Sequence, residues 1–169
     1  MIETERLILK PLTYDQLKKY IQVDGSLETE LNLNPSSRTI SPALKEALEQ
    51  TILPNVVDTT KDYLYSTLWT IISKTDNKMV GDLCIVGEPN VEGEIEIGYG
   101  TYKEFQNRGF MTEAVGGMIK WAETQAKVKS IIASTDKDNI ASYTILIKNK
   151  FTKLSETESL LNWRLIVKI

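Results

Sequence analysis

The stretch Glu104–Ala122, "EFQNRGFMTEAVGGMIKWA", decides how the chain is read. A polar, arginine-bearing segment ends on Gly109 and passes directly into an apolar-striped helix. Met111, Val115, Met118 and Ala122 fall at helical spacing and make one buried face. Gly109 has no Cβ, so its backbone can turn through φ > 0 and let a ligand come close. A helix that starts this way offers unpaired N–H groups and the positive end of its dipole, a setting for an anion and above all for phosphate. The guanidinium of Arg108 can also reach phosphate oxygens. The same residues would equally make a plain strand-to-helix turn with a solvated arginine. Neither GxxxxGK[ST] nor GxGxxG is present, so the common nucleotide loops do not apply. Gly116 and Gly117 weaken the helix by roughly 2 kcal/mol relative to alanine; close packing onto a sheet is the simplest reason for them.

Upstream, "EIEIGYG" (residues 94–100) alternates strictly and reads as a strand. Glu94, Glu96 and Gly98 share one face, and Ile95, Ile97 and Tyr99 the other. The isoleucines belong to the core. The carboxylates form either a solvated face or the wall of a polar cleft, where like charges would raise the proton affinity of one of them and suit it to general-base work. Residues 64–73 and 78–87 read as a hairpin turning at 75–78. "IETERLILKPL" reads as a first strand that stops at Pro11. Thr13 caps a helix through "YDQLKKYIQV", the polar segment 24–41 reads as a loop, and Ser41-Pro42 opens a second helix disturbed at Pro54. The central helix is expected from Phe110 to about Lys127. A strand at 130–135, a helix from Asn139 to about Lys148, and strands at 151–156 and 160–169 complete the chain. The order is that of a mixed α/β (α+β) fold, antiparallel in its first half with a crossover near the middle. At 169 residues, one domain over 1–169 is expected.

Composition narrows the chemistry. There is no histidine, which excludes a His general base, a Ser-His-Asp triad and a zinc site of His ligands, and no metal is expected. Lys+Arg 20 against Asp+Glu 23 gives a net charge of −3, which argues against a broad nucleic-acid surface. The lone cysteine, Cys84, excludes an internal disulfide framework. No apolar run approaches the ~20 residues of a membrane span, and the first residues lack signal-peptide anatomy, so a cytoplasmic location and no membrane partner are expected.

"EIGYGTYKEFQNRGFMTEAV" resembles motif A of the GNAT superfamily of acyl-CoA-dependent N-acetyltransferases. Its Q/R-x-x-G-x-G/A pattern is met by Gln106 and Gly109, with Met111 in place of the family's small residue. "ETERLILKPL" and "DNIASYTILIKNKF" resemble the opening strand and later motif of the RimJ/RimL type, with Lys150 where a glycine is usual. The resemblance covers about residues 2–168. It implies a mostly antiparallel twisted sheet of about seven strands, splayed between the fourth and fifth and flanked by about four helices. It also implies acetyl-CoA as cosubstrate, its pantetheine paired with backbone at Tyr99, Gly100 and Thr101. The pyrophosphate would lie on the amides of Gln106, Asn107, Arg108, Gly109, Phe110, Met111 and Thr112, and Asn139 would contribute to the same site.

The implied chemistry is attack of a primary amine on the thioester in a ternary complex. A lysine-like amine with pKa ~10.4 is almost wholly protonated at neutral pH, and an α-amino group at ~7.7–8.0 is roughly a tenth neutral. A proton acceptor is needed, and without histidine a carboxylate serves, directly or through water. Glu96 matches the superfamily's strand glutamate, with Glu94 in reserve. Ser142, or its neighbour Tyr143, would return a proton to the departing thiolate; Asn139 also fits a plain helix N-cap. The acceptor would be a peptide or protein N-terminus or a small-molecule amine. Segment 24–60 would wall its site, with Glu28, Glu30, Glu46 and Glu49 either attracting a cation or simply solvated. A catalytically silent CoA-binding sensor is the alternative. An exposed edge near the last two strands suits a homodimer.

Overall fold

The computed structural model describes residues 1–169. Eight strands share one sheet: β1 Ile2–Glu3, β2 Leu7–Pro11, β3 Leu68–Ser73, β4 Lys78–Ile85, β5 Glu94–Thr101, β6 Ser130–Asp136, β7 Thr152–Glu156 and β8 Leu160–Ile166. Their spatial order is β1-β2-β3-β4-β5-β6-β8-β7. Every neighbouring pair is antiparallel except β5 with β6, which is parallel. A parallel pair needs a crossover, and the helix Phe110–Thr124, α5 below, supplies it.

The eighth strand comes from the segment expected to be one strand. Residues 2–11 fold into a hairpin, with Ile2 opposite Leu9 and Glu3 opposite Ile8. Its turn carries neither glycine nor proline, so alternation alone could not mark it. The turn is held from a distance: the Thr4 hydroxyl, the Arg6 amide and the Arg6 guanidinium all donate to the carboxylate of Glu113. Burial pushes the Glu113 carboxyl up, but these donors outweigh it and leave the net shift downward.

Six α-helical segments flank the sheet: α1 Tyr14–Gln22, α2 Ser26–Glu30, α3 Pro42–Ala47, α4 Leu53–Val57, α5 Phe110–Thr124 and α6 Ile140–Lys148. A π-helical stretch, Leu48–Ile52, makes α3 and α4 one continuous helix. Pro54 explains it: the proline has no N–H and its ring crowds the carbonyl four residues back, so the preceding turn widens. Counted so, there are five helices rather than four, and the added one is α2. It lies in the segment expected to be loop because its support is tertiary. Leu27 and Glu28 are buried, and the Glu28 carboxylate meets the buried Arg38 Nε at 3.1 Å. Glu28 is therefore an interior ion pair, neither solvated nor free to attract a cation. The central helix ends at Thr124, because Gln125 already has extended backbone (φ −86°, ψ 121°).

One face of the sheet packs on α5. Leu9, Trp69, Leu83, Ile95 and Ile97 meet the expected stripe of Met111, Val115, Met118 and Ala122 in the main core. The other face carries α1 and the helix 42–57 over a smaller core that includes Leu17, Leu48, Ile72 and Met79. There Asp82 of β4 accepts hydrogen bonds from Tyr20 of α1 and from Tyr102, and burial pushes its carboxyl up to about 6. A Cβ on Gly117 would come within 2.8 Å of the Thr4 Cγ2, and one on Gly116 within 3.3 Å of the Asn149 Oδ1. The pair is thus about packing, against the N-terminal hairpin turn and the end of α6 rather than the open sheet. β7 is the exposed outer edge of the sheet. No helix is long and apolar enough to cross a membrane.

Candidate active site

The parallel pair holds together only briefly. Glu94, Ile95 and Glu96 face Ser130, Ile131 and Ile132; beyond them β5 continues with β4 and β6 continues with β8. The sheet splays there, between the fourth and fifth of the seven strands expected. A cavity of about 650 Å³ fills the opening, walled by the end of β5, the loop into α5, and α6.

The loop into α5 is built to leave its amides free. Asn107 (φ 64°) and Gly109 (φ 75°) are left-handed, a conformation that glycine takes readily and asparagine tolerates. The amides from Asn107 through Thr112 donate to no backbone carbonyl, and Gly109 has no side chain with which to cap the helix. Successive amides in such a turn converge into an anion-binding concavity, reinforced by the helix dipole. The loop is fixed from behind. Phe105 and Phe110 are buried 6.4 Å apart, and Arg6 donates to the Arg108 carbonyl at 2.9 Å. The Gln106 side chain donates to the Thr101 carbonyl at 3.3 Å, while its backbone amide, expected in the cradle, donates to the Lys103 carbonyl at 3.4 Å. The Arg108 side chain lies over the Phe110 ring at 4.6 Å and pairs with Asp76 at 3.3 Å, so its amide belongs to the cradle while its guanidinium is directed away from the cavity.

Met111, standing where the family pattern has a small residue, is accommodated by a glycine on another strand. Its Cε lies 3.3 Å from where a Cβ on Gly81 would be, and that Cβ would also stand 2.6 Å from the Gly100 carbonyl. Helix α6 closes the far wall. Asn139 caps it by accepting the Ser142 amide at 3.1 Å, Asn149 donates to the Thr112 carbonyl at 3.1 Å, and Tyr99 donates to the Ser142 carbonyl at 2.9 Å. Beyond its end Lys150 is left-handed (φ 70°), with the amides of Lys150 and Phe151 returning to Ile147 and Leu146. That is the helix end at which glycine is favoured.

The structure thus brings Tyr99, Gly100, Thr101, Gln106, Asn107, Gly109, Phe110, Met111, Thr112, Asn139 and Ser142 to one cavity. Tyr143 is not among its walls; its ring stacks on Trp163 with centroids 6.0 Å apart. Glu96 does not line the cavity either: it occupies the last β5–β6 pair, where the strands part, on the face of β5 opposite that of Tyr99. Its carboxylate is half-buried and no side chain pairs with it, whereas Glu94 is approached by the Arg164 Nε at 3.5 Å and by the Ser130 hydroxyl at 3.4 Å. Cys84, across from Gly98 on β4, has its thiol pushed up to about 11, chiefly by burial. Sequence reading missed Ile145 and Lys148 as lining residues. Steps of three from Ser142 along one helical face would have found both.

A splayed sheet with an open amide cradle on one side and an unpaired carboxylate at its apex defines an acetyltransferase of the GNAT class. The chain matches the family described as "Acetyltransferase (GNAT) domain" over residues 6–152, and it belongs to that family, whose cosubstrate is acetyl-CoA. It is 31% identical over 100 residues to the uncharacterized N-acetyltransferase YjdG of Bacillus subtilis (strain 168), a match that spans 59% of this chain and 60% of that protein. Among solved structures it is similar to a ribosomal-protein-S5-alanine acetyltransferase from Vibrio fischeri (TM-score 0.70, 20% identity, 97% of this chain and 94% of that one). It is also similar to a spermidine N-acetyltransferase from Vibrio cholerae solved with CoA and spermine (TM-score 0.66, 11% identity, 96% of each chain). At those identities the likeness is one of fold.

Proposed function

We propose that the protein transfers the acetyl group of acetyl-CoA to a primary amine by direct attack in a ternary complex, in the cytoplasm. The observation that carries this reading is the run of unpaired amides from Asn107 through Thr112 facing the cavity. They would hold the pyrophosphate, and the edge of β5 left without a β6 neighbour would pair with pantetheine as an added strand. The thioester then lies toward the apex, where Glu96 takes a proton from the amine, directly or through one water. The amine nitrogen bonds to the carbonyl carbon, the C–S bond breaks with its electrons on sulfur, and the thiolate is protonated from the Ser142 side. An acyl-enzyme route finds no activated nucleophile here: the one thiol is half-buried and pushed up to about 11, and no histidine exists to activate a hydroxyl.

The acceptor is a peptide N-terminus or a small-molecule amine; the structurally similar enzymes are named for an alanine of a ribosomal protein and for spermidine. The test is a panel of peptides beginning with alanine or serine, together with spermidine, assayed with wild-type protein and Glu96→Gln. Loss of roughly 10²–10⁴ in kcat/KM with unchanged CoA affinity is expected for a general base. Equal rates would remove Glu96 from the mechanism. Tight CoA binding without turnover on any amine would favour a silent CoA-binding module instead.

A further inference from the structure

Tyr99 leaves β5 after that strand has parted from β6, and its half-buried ring reaches α6 across the cleft. Its hydroxyl donates to the Ser142 carbonyl at 2.9 Å and accepts from the Ser142 Oγ at 3.3 Å. Both residues line the cavity, while Tyr143, next to Ser142 on α6, is stacked away on Trp163. The phenol therefore stands one hydrogen bond behind the hydroxyl expected to meet the departing thiolate.

The chemistry gives that contact a purpose. A serine hydroxyl is a far weaker acid than a thiol, so a proton it gives up must be replaced as it leaves. A phenol at pKa ~10 is much closer to a thiol at ~8.5, and transfer between them carries little penalty. Resting on the acetyl-transfer reading of this site, we propose that Tyr99 backs Ser142 in a two-hydroxyl proton path to CoA sulfur. As the C–S bond breaks and its electron pair goes to sulfur, the Ser142 O–H turns from Tyr99 and passes its proton to the thiolate. The Tyr99 O–H turns from the Ser142 carbonyl to the Ser142 Oγ and reprotonates it, and water restores the phenol. Tyr99 acts through Ser142 and is a positioning residue. Burial, partly offset by the bond from Ser142, pushes the phenol up and keeps it protonated at neutral pH, as a proton source must be.

The test needs no acceptor. Free CoA is bound to the protein, and ionisation of its thiol is followed by the ultraviolet absorbance of the thiolate as pH rises. Donors aimed at sulfur stabilise the thiolate, so the bound thiol should ionise at lower pH than in free CoA. Tyr99→Phe, which keeps the ring, should move that midpoint back up by about one pH unit, the worth of one hydrogen bond to a charged group, with little change in Kd. Ser142→Ala should do the same, the double variant should add nothing further, and Tyr143→Phe should leave the midpoint in place. An unchanged midpoint in both Tyr99→Phe and Ser142→Ala, or an equal shift in Tyr143→Phe, overturns the proposal. Wild-type protein that binds no CoA would instead overturn the acetyl-transfer reading beneath it.

Discussion

α5 and α6 wall the same cleft and begin in opposite ways. α6 starts from Asn139, whose side chain takes the Ser142 amide and closes the helix end. α5 starts from Gly109, which has nothing to offer, and its first amides stay open beside the cavity. The closed start has one of its first amides taken by its N-cap side chain, as do α1 and α3, capped by Thr13 and Ser41. The open start is unsatisfied in the protein alone and is completed by an anion. α2 also starts on a left-handed glycine without a side-chain cap, Gly25, but there Asp24 accepts the Ser26 amide. What marks the site is the longer run of open amides, Asn107 through Thr112, beside the cavity.

The contrast breaks most visibly at Gly109. Its φ of 75° is a conformation that a β-branched residue rarely adopts, at a cost of roughly 1–2 kcal/mol. Crowding is a lesser matter, since a Cβ would meet only the Arg6 Nη2, at 3.4 Å. Gly109→Val should also turn the loop amides off the phosphates, and one or two charge-assisted hydrogen bonds lost is roughly 100-fold in CoA affinity by calorimetry. Asn139→Ala probes the closed end and should cost about 1 kcal/mol in urea unfolding. If the asparagine is a cap alone, CoA affinity should stay within about threefold; a loss near that of Gly109→Val would make both helix starts ligand sites. The smallest effect belongs to the other end of α6, where Lys150→Gly relieves a left-handed lysine and should add up to about 1 kcal/mol of stability without touching CoA binding.

The open start was legible because its signals are local. A glycine before an apolar stripe, and a strictly alternating strand before that, place the cradle and the splayed edge from a few dozen residues. The closed polar clusters were not. The Glu28–Arg38 pair, the Thr4 and Arg6 grip on Glu113, and the Tyr20–Asp82–Tyr102 knot join residues whose pairing is set by the finished fold. The same limit hid the partner of Arg108, which local reading sends toward phosphate and the structure holds on Asp76. It also hid Tyr99, whose backbone was assigned to pantetheine while its hydroxyl reaches Ser142. Met111 shows the point in one residue: its misfit to the family pattern is resolved by Gly81, on a strand thirty residues away in the chain.

The central claim is that the amides at the start of α5 hold the phosphates of CoA. Amide-resolved NMR of the labelled protein, titrated with CoA, tests it most directly. The largest shifts and new exchange protection should fall on Asn107 through Thr112, while the Ser142 amide, already bonded to Asn139, should gain no exchange protection. Saturating CoA that leaves the 107–112 amides unmoved would contradict it.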